Sequence, residues 1–239
     1  MVTKNQIKLV VSLQQKKYRT QHGLFVVEGA KTTREILKAG LKPFKLFIDE
    51  PQKIEDFIEA EVISKSELKQ MSSLSNPNGV LGVFYMPDTK KPDNTDWLVG
   101  LDAVRDPGNL GTIIRLCDWF GVKHLICSMD TVDCYNPKVL QATMGSITRV
   151  NVVYTDLLEY LKKSSLSIFG TFMNGDTVYQ KELPEAGIMI MGNEANGISK
   201  EICDVVTEKI AIPQFGSKTT ESLNVATATA ILLNEIRRG

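Results

Sequence analysis

Gly187-Ile-Met-Ile-Met-Gly-Asn-Glu-Ala-Asn-Gly197 is the stretch whose reading decides the fold. Its first half, Gly187 to Met191, has the length and composition of a buried strand, and the Gly192 to Gly197 half is a polar, glycine-punctuated loop. Downstream, a second short apolar run ends in Ile212-Pro213, a polar loop follows, and Ser222-Leu-Asn224 opens a final helix. That helix, Leu223 to Leu233, is apolar or small on nearly every face, with Ala226, Ala228 and Ala230 among Val225, Ile231, Leu232 and Leu233. A helix apolar all round is buried, against its own sheet or against a second subunit. Two such loops at strand ends, beside such a helix, describe a ligand pocket. Either loop alone also reads as an ordinary connecting turn.

Short apolar runs recur upstream, at Trp97 to Leu101, Leu125 to Cys127, Val150 to Val153 and Leu166 to Phe169, and again at Lys209 to Ile212. Helical patterns separate most of them, which predicts an α/β domain with a mainly parallel sheet and helices on both faces. Ligands of such folds sit beyond the carboxyl ends of the strands, where the polar loops fall.

Residues 1–86 read as a smaller α/β unit. A basic amphipathic helix (Ile7, Val10, Val11) precedes a strand at Leu24 to Val27, a helix at Thr32 to Ala39 and a strand at Phe44 to Ile48. A helix near Ile54 to Ala60, a loop at Ser72 to Gly79 and a closing strand at Val80 to Tyr85 complete it. Residues 87–96, with two prolines and no apolar periodicity, read as a linker to a second domain at 97–239.

At 239 residues and 43% hydrophobic content the chain is long enough for two ordinary cores. No apolar run spans a bilayer and no apolar segment follows a positive start, so a soluble, cytoplasmic protein without a membrane partner is expected. Cys117, Cys127, Cys134 and Cys203 lack paired metal-ligand spacing and read as free thiols. His22 and His124 are the only histidines, which argues against a His-ligated metal or a Ser-His-Asp hydrolase, and no metal is expected. Formal net charge is zero, yet Lys4, Lys8, Lys16, Lys17, Arg19, Lys31, Arg34, Lys38 and Lys42 face only Glu28 and Glu35 in the first 42 residues. This is either a surface that tracks phosphates, with Lys16, Lys17 and Arg19 as contacts, or a solvated lysine-rich helix face.

Asp106-Pro-Gly-Asn-Leu-Gly-Thr-Ile-Ile-Arg115 follows the strand ending near Leu101 and opens a helix. Asn109 reads as its N-cap, and Ile113, Leu116, Cys117 and Phe120 as its apolar face. Arg115 lies off that face, on the side of Gly111, where the missing side chain leaves room for a ligand or a partner's backbone. An exposed helix arginine is the other reading. No G-x-G-x-x-G follows the first strand of this domain and no G-x-x-x-x-G-K-[ST] occurs, which disfavours dinucleotide enzymes and P-loop NTPases.

Asn109-x-Gly111-x-x-x-Arg115, Met191-Gly-Asn-Glu194-x-x-Gly197 and Ile212-Pro213 with Ser222-Leu-Asn224-Val-Ala resemble, in order, the three motifs of the SpoU (TrmH) class of AdoMet-dependent RNA ribose 2′-O-methyltransferases. The N-terminal half resembles the substrate-binding domain often joined to them, through Phe25-Val-Val-Glu-Gly29 and Asn76-Pro-Asn-Gly-Val80. The resemblance implies a deep trefoil knot, a rare exception among folds, and a homodimer formed through the catalytic domain. It implies S-adenosyl-L-methionine (AdoMet) as cofactor, held by Thr171, Gly192, Asn193, Glu194, Ile212, Pro213 and Leu223. It further implies catalytic roles for Arg115, Asn109, Glu194, Ser222 and Asn224, with Glu194 orienting Asn109 and Arg115. The implied substrate is RNA, ribosomal rather than transfer RNA. The Gln214 to Glu221 loop departs from the pattern, being longer than usual and carrying Gln214 where an apolar residue is customary. A guanidinium is a poor base at neutral pH, so a phosphate- and alkoxide-binding role suits Arg115 better. The rival readings are an RNA-binding or assembly protein without turnover, and a knotted methyltransferase acting on a base.

Overall fold

Val80-Leu-Gly-Val-Phe-Tyr85 is flanked on both sides by other strands in the computed structural model, which describes residues 2–49, 57, 59–77, 79–216 and 222–238. The first elements are α1 (Lys4–Ser12), α2 (Lys16–His22), β1 (Leu24–Glu28), α3 (Ala30–Lys38), β2 (Pro43–Ile48), β3 (Glu61–Val62), α4 (Lys65–Met71) and β4 (Val80–Tyr85), with sheet order β1-β4-β2-β3. Thr3 with Gln6, and Ser64 with Glu67, form capping boxes that start α1 and α4. Leu13, Leu24, Val26, Phe47, Leu68 and Leu81 form the core on one face of this sheet. The helix expected near Ile54 to Ala60 lies largely outside the described residues.

The second sheet is built from β5 (Leu98–Leu101), β6 (His124–Ser128), β7 (Asn151–Thr155), β8 (Ile168–Thr177), β9 (Ile188–Met191) and β10 (Glu208–Ala211). All its pairings are parallel, in the order β10-β8-β9-β5-β6-β7. The helices along this part of the chain are α5 (Pro107–Trp119), α6 (Pro137–Thr143), α7 (Leu157–Lys162), α8 (Lys200–Cys203) and α9 (Val225–Ile236), of which α6 belongs with the first sheet. Leu98, Ile126, Ile188 and Ile190 form one cluster with Leu157 and Leu161 of α7 and Ile202 of α8. Intervening residues such as Val99, Leu125 and Cys127 are buried on the other face, where α5 contacts β6 and packs against α9. In β8 the pairing with β10 jumps from Gly170–Lys209 to Asp176–Ile210, so the chain between these points leaves the ladder.

In space the chain forms two compact units, Met1–Asp88 with Asp133–Thr148, and Thr89–Val132 with Arg149–Gly239. The return segment brings α6 against β1. It also supplies Asp133, and this corrects the expectation for Arg19. Arg19 is 2% exposed; its guanidinium donates to the carbonyls of Leu13 and Gln14, both at 2.8 Å, and to Asp133 Oδ2 at 3.0 and 2.5 Å. Satisfied on every side by its own chain, it is not a phosphate contact. Breaking such a pair leaves one charge buried and uncompensated. Asp133→Ala should therefore lower the unfolding free energy by about 3 kcal/mol in urea titration, and a loss below about 0.5 kcal/mol would mean that water replaces the carboxylate.

Candidate active site

Pro107 has no amide hydrogen and a φ suited to the first helical position, so the cap of α5 falls one residue before it. The N-cap is accordingly Asp106, whose Oδ1 accepts from the Asn109 amide at 2.8 Å. Asn109 is thus not the cap, contrary to the sequence expectation, and its side chain is left for other partners. The buried side of α5 comprises Leu110, Gly111, Ile113, Ile114 and Cys117. Gly111 therefore lies on the buried side of α5 and not on an open face beside Arg115. Arg115 is exposed and makes no hydrogen bond or ion pair with the described residues.

The loop after β9 is a tight turn. Asn193 and Gly197 exchange two backbone hydrogen bonds of 2.9 Å, and Gly197 has φ +69°, the left-handed region that favours glycine. A Cβ on Gly192 would lie 2.3 Å from the Gly197 carbonyl carbon and 2.4 Å from the Ile198 nitrogen, so only glycine lets the two arms of the turn touch. Asn193 Oδ1 accepts from the amides of Ala195 (3.0 Å) and Asn196 (3.2 Å), and its Nδ2 donates to the Ala103 carbonyl (2.6 Å). Asp102, buried just past the end of β5, accepts from the Ser199 amide at 2.6 Å. Asp102 and Ala103, which the sequence reading missed, thereby pin both ends of this turn. An acid directly after an apolar strand was the available signal for Asp102.

A cavity of about 600 Å³ opens beyond β8, β9 and β10. Its wall contains Thr171, Gly192, Asn193, Glu194, Ile212, Pro213 and Leu223, together with Ser222 and Asn224. Asn109 joins them from outside the wall: its Nδ2 donates to Glu194 Oε1 and its Oδ1 accepts from Asn224 Nδ2, both at 2.9 Å. Thr171 Oγ1 donates to the Ile190 carbonyl at 3.0 Å, tying the departing β8 chain to β9. Of the residues singled out from sequence, the structure gathers all but Arg115, which Glu194 does not contact. Gln214 also lines the cavity, whereas 217–221 of its loop lie outside the described residues. Among the described residues no three His, Cys, Asp or Glu side chains gather as a metal site.

Residues 96–234 match the model of the SpoU rRNA Methylase family, and residues 4–82 match the MRM3-like substrate binding domain. The chain is 33% identical to the 23S rRNA (guanosine(2553)-2'-O)-methyltransferase RlmP of Bacillus subtilis (strain 168), over 94% of this chain and 93% of that one. Among solved structures, a TrmH-family protein from Porphyromonas gingivalis is 35% identical with a TM-score of 0.89, covering 100% of this chain and 99% of its own. An AdoMet-bound rRNA methyltransferase from Sinorhizobium meliloti is 28% identical with a TM-score of 0.86, covering 100% and 96%.

Two substitutions test this geometry. Gly192→Ala forces the turn apart and should cost about 3 kcal/mol of stability, as overpacking does; an unchanged thermal midpoint would show that the close backbone approach is dispensable. Asn224→Asp keeps the cap of α9, since aspartate caps as well as asparagine, but removes the donor to Asn109. Its thermal midpoint should hold while AdoMet affinity, measured by calorimetry, falls about fivefold, the worth of one net hydrogen bond. Equal affinity in Asn224→Asp would mean that the Asn109 link does not shape the cavity.

Proposed function

Because the chain belongs to the SpoU rRNA methylase family, we propose that it transfers a methyl group from AdoMet to a ribose 2′-hydroxyl of structured RNA, ribosomal rather than transfer RNA. Its parallel-sheet domain has the trefoil-knotted fold of that family. In the proposed division of labour, residues 1–86 with the return segment 133–148 bind RNA, the rest of 97–239 carries the transfer, and 87–96 lie between them in sequence. The carrying observation is the cavity whose wall holds Glu194 and Asn224, both bonded to Asn109.

The residues present fit the cofactor. The volume suits a ligand of its size, Ile212, Pro213 and Leu223 offer apolar surface for a flat base, and Thr171, Glu194 and Ser222 offer polar atoms for its ribose and charged end. When bound, AdoMet supplies a methyl group activated on a sulfonium for in-line attack by the ribose oxygen. Such a transfer depends chiefly on alignment. Glu194 and Asn109 form the rigid side of the site; Ser222 and Asn224 hold the loop and the ribose.

A guanidinium is a poor general base, so the role of Arg115 is to grip the phosphate beside the target ribose and to stabilise the oxyanion as the proton leaves. Its exposure, and its lack of a partner among the described residues, support that role. The proposed assembly is a homodimer through the catalytic domain, completing the site with a second copy. In support, α9 buries one stripe, Val225, Ala226, Thr229, Leu232 and Leu233, and leaves Ala230 and Ile231 half-buried, while Trp119 at the end of α5 is 84% exposed. The proposed compartment is the cytoplasm, as a ribosomal substrate implies; among the described residues no helix is long and apolar enough to cross a membrane.

Arg115→Ala should retain the fold and AdoMet affinity while lowering single-turnover methylation by about a hundredfold or more. Arg115→Lys, which keeps charge but loses the planar fork, should recover little of it. Wild-type rates in Arg115→Ala would remove the residue from the mechanism, and full recovery by lysine would reduce it to a point charge.

A further inference from the structure

Between α1 and the sheet of the N-terminal unit lies an open slot of about 250 Å³. Leu9 and Phe47 line it with apolar surface, Asn5 and Gln6 form one wall, and Phe44 and Lys45 the other. Phe44 is there because of a defect in the ladder. The pairing of β2 with β4 passes from Pro43–Phe84 to Lys45–Val83, which leaves Phe44 as the extra residue, 44% exposed. Its ring meets that of Tyr85, itself 42% exposed, edge-on at 5.8 Å and 82°. Lys42 Nζ stands 5.7 Å from the Tyr85 ring centroid. Two neighbouring exposed rings cost hydration free energy that a protein surface ordinarily avoids.

The polar groups narrow the occupant. Gln6 Oε1 already accepts from the Thr3 amide (2.8 Å) and hydroxyl (2.9 Å), so its remaining capacity is the Nε2 donor. The Asn5 side chain makes no hydrogen bond to a described residue and retains both functions. Lys4 and Lys8 are exposed on α1 and Lys42 on the approach to β2. Lys45 is held by Glu61 at 3.0 Å, the one carboxylate recorded against these lysines among the described residues. A thin apolar slot with an aromatic wall, free amides at its rim and lysines around it suits a flat heterocycle attached to a phosphate chain. RNA-binding modules read unpaired bases by this combination of stacking and edge hydrogen bonds.

We propose that this slot takes one unpaired nucleobase of the RNA substrate. The base stacks on Phe44, the Asn5 and Gln6 amides meet its edge, and Lys4, Lys8 and Lys42 meet the flanking phosphates. The inference rests on the RNA-methyltransferase reading and adds to it a base-selecting contact on the N-terminal unit.

Fluorescence anisotropy of the full chain with a labelled, transcribed ribosomal RNA fragment over a salt series tests it. Phe44→Ser should weaken binding about tenfold, as loss of one base stack does, with an unchanged salt slope, thermal midpoint and AdoMet affinity. Phe44→Trp should retain affinity. Lys4→Gln with Lys8→Gln should instead lower the salt slope by about two. Affinity within about twofold of wild type in Phe44→Ser, less than one base stack ordinarily contributes, would overturn the slot while leaving the methyltransferase reading intact. A wild-type chain that binds no ribosomal RNA would overturn both. A change in sedimentation on Phe44→Ser, at unchanged RNA affinity, would assign the slot to protein–protein contact and overturn the proposal.

Discussion

The site depends on the direction of one short chain of hydrogen bonds. Asn224 Oδ1 caps α9 by accepting from the amides of Ala226 (2.9 Å) and Thr227 (3.2 Å), so its Nδ2 is necessarily the end that faces Asn109. Asn109 must then accept with its oxygen and donate with its nitrogen, which is what the carboxylate of Glu194 requires. A helix cap thus fixes the orientation of two amides and one acid, across separations of 115 and 85 residues. Aspartate at 109 would set two carboxylates against each other, and alanine would leave the loops unlinked.

The turn that presents Glu194 is held as firmly by backbone packing. Gly192 admits the Gly197–Ile198 backbone where any side chain would collide, and Asn193 and Asp102 spend their polar groups on the turn and its neighbours. Asn193 is therefore better described as a positioning residue than as a ligand contact, since both ends of its amide are engaged within the protein. Glu194, by contrast, makes its hydrogen bond at the rim and faces the cavity with its remaining capacity. Preorganisation of this kind suits a reaction whose barrier is lowered mainly by alignment and fixed dipoles.

Much of this was legible in the chain itself. Five of the six parallel strands are runs of four or five residues and β8 begins with the apolar Ile168-Phe169 before continuing into the polar Asn174 to Thr177, so the sheet and the side of it that carries the site follow from pattern, although the length of β8 does not. Gly192, Glu194, Ser222 and Asn224 stand out because glycine and polar residues interrupt apolar surroundings. What could not be read is what depends on distant partners. Arg19 is one lysine-like charge among many until Asp133, 114 residues away, is brought to it. The return of 133–148 to the first unit has no local marker, and the burial of Gly111 depends on how closely α5 packs. The cap at Asp106 is legible after all, because the proline at the first helical position places it one residue before Pro107 and not at Asn109.

In the proposed function this site aligns a ribose oxygen rather than a base nitrogen. The decisive measurement is the position of the methyl group. Ribosomal RNA incubated with the purified chain and methyl-labelled AdoMet can be hydrolysed in alkali, which cleaves only where a free 2′-hydroxyl is present. The account expects the label in an alkali-resistant dinucleotide that nuclease and phosphatase convert to a 2′-O-methylnucleoside. Label recovered on a base, in an alkali-sensitive mononucleotide, would contradict it.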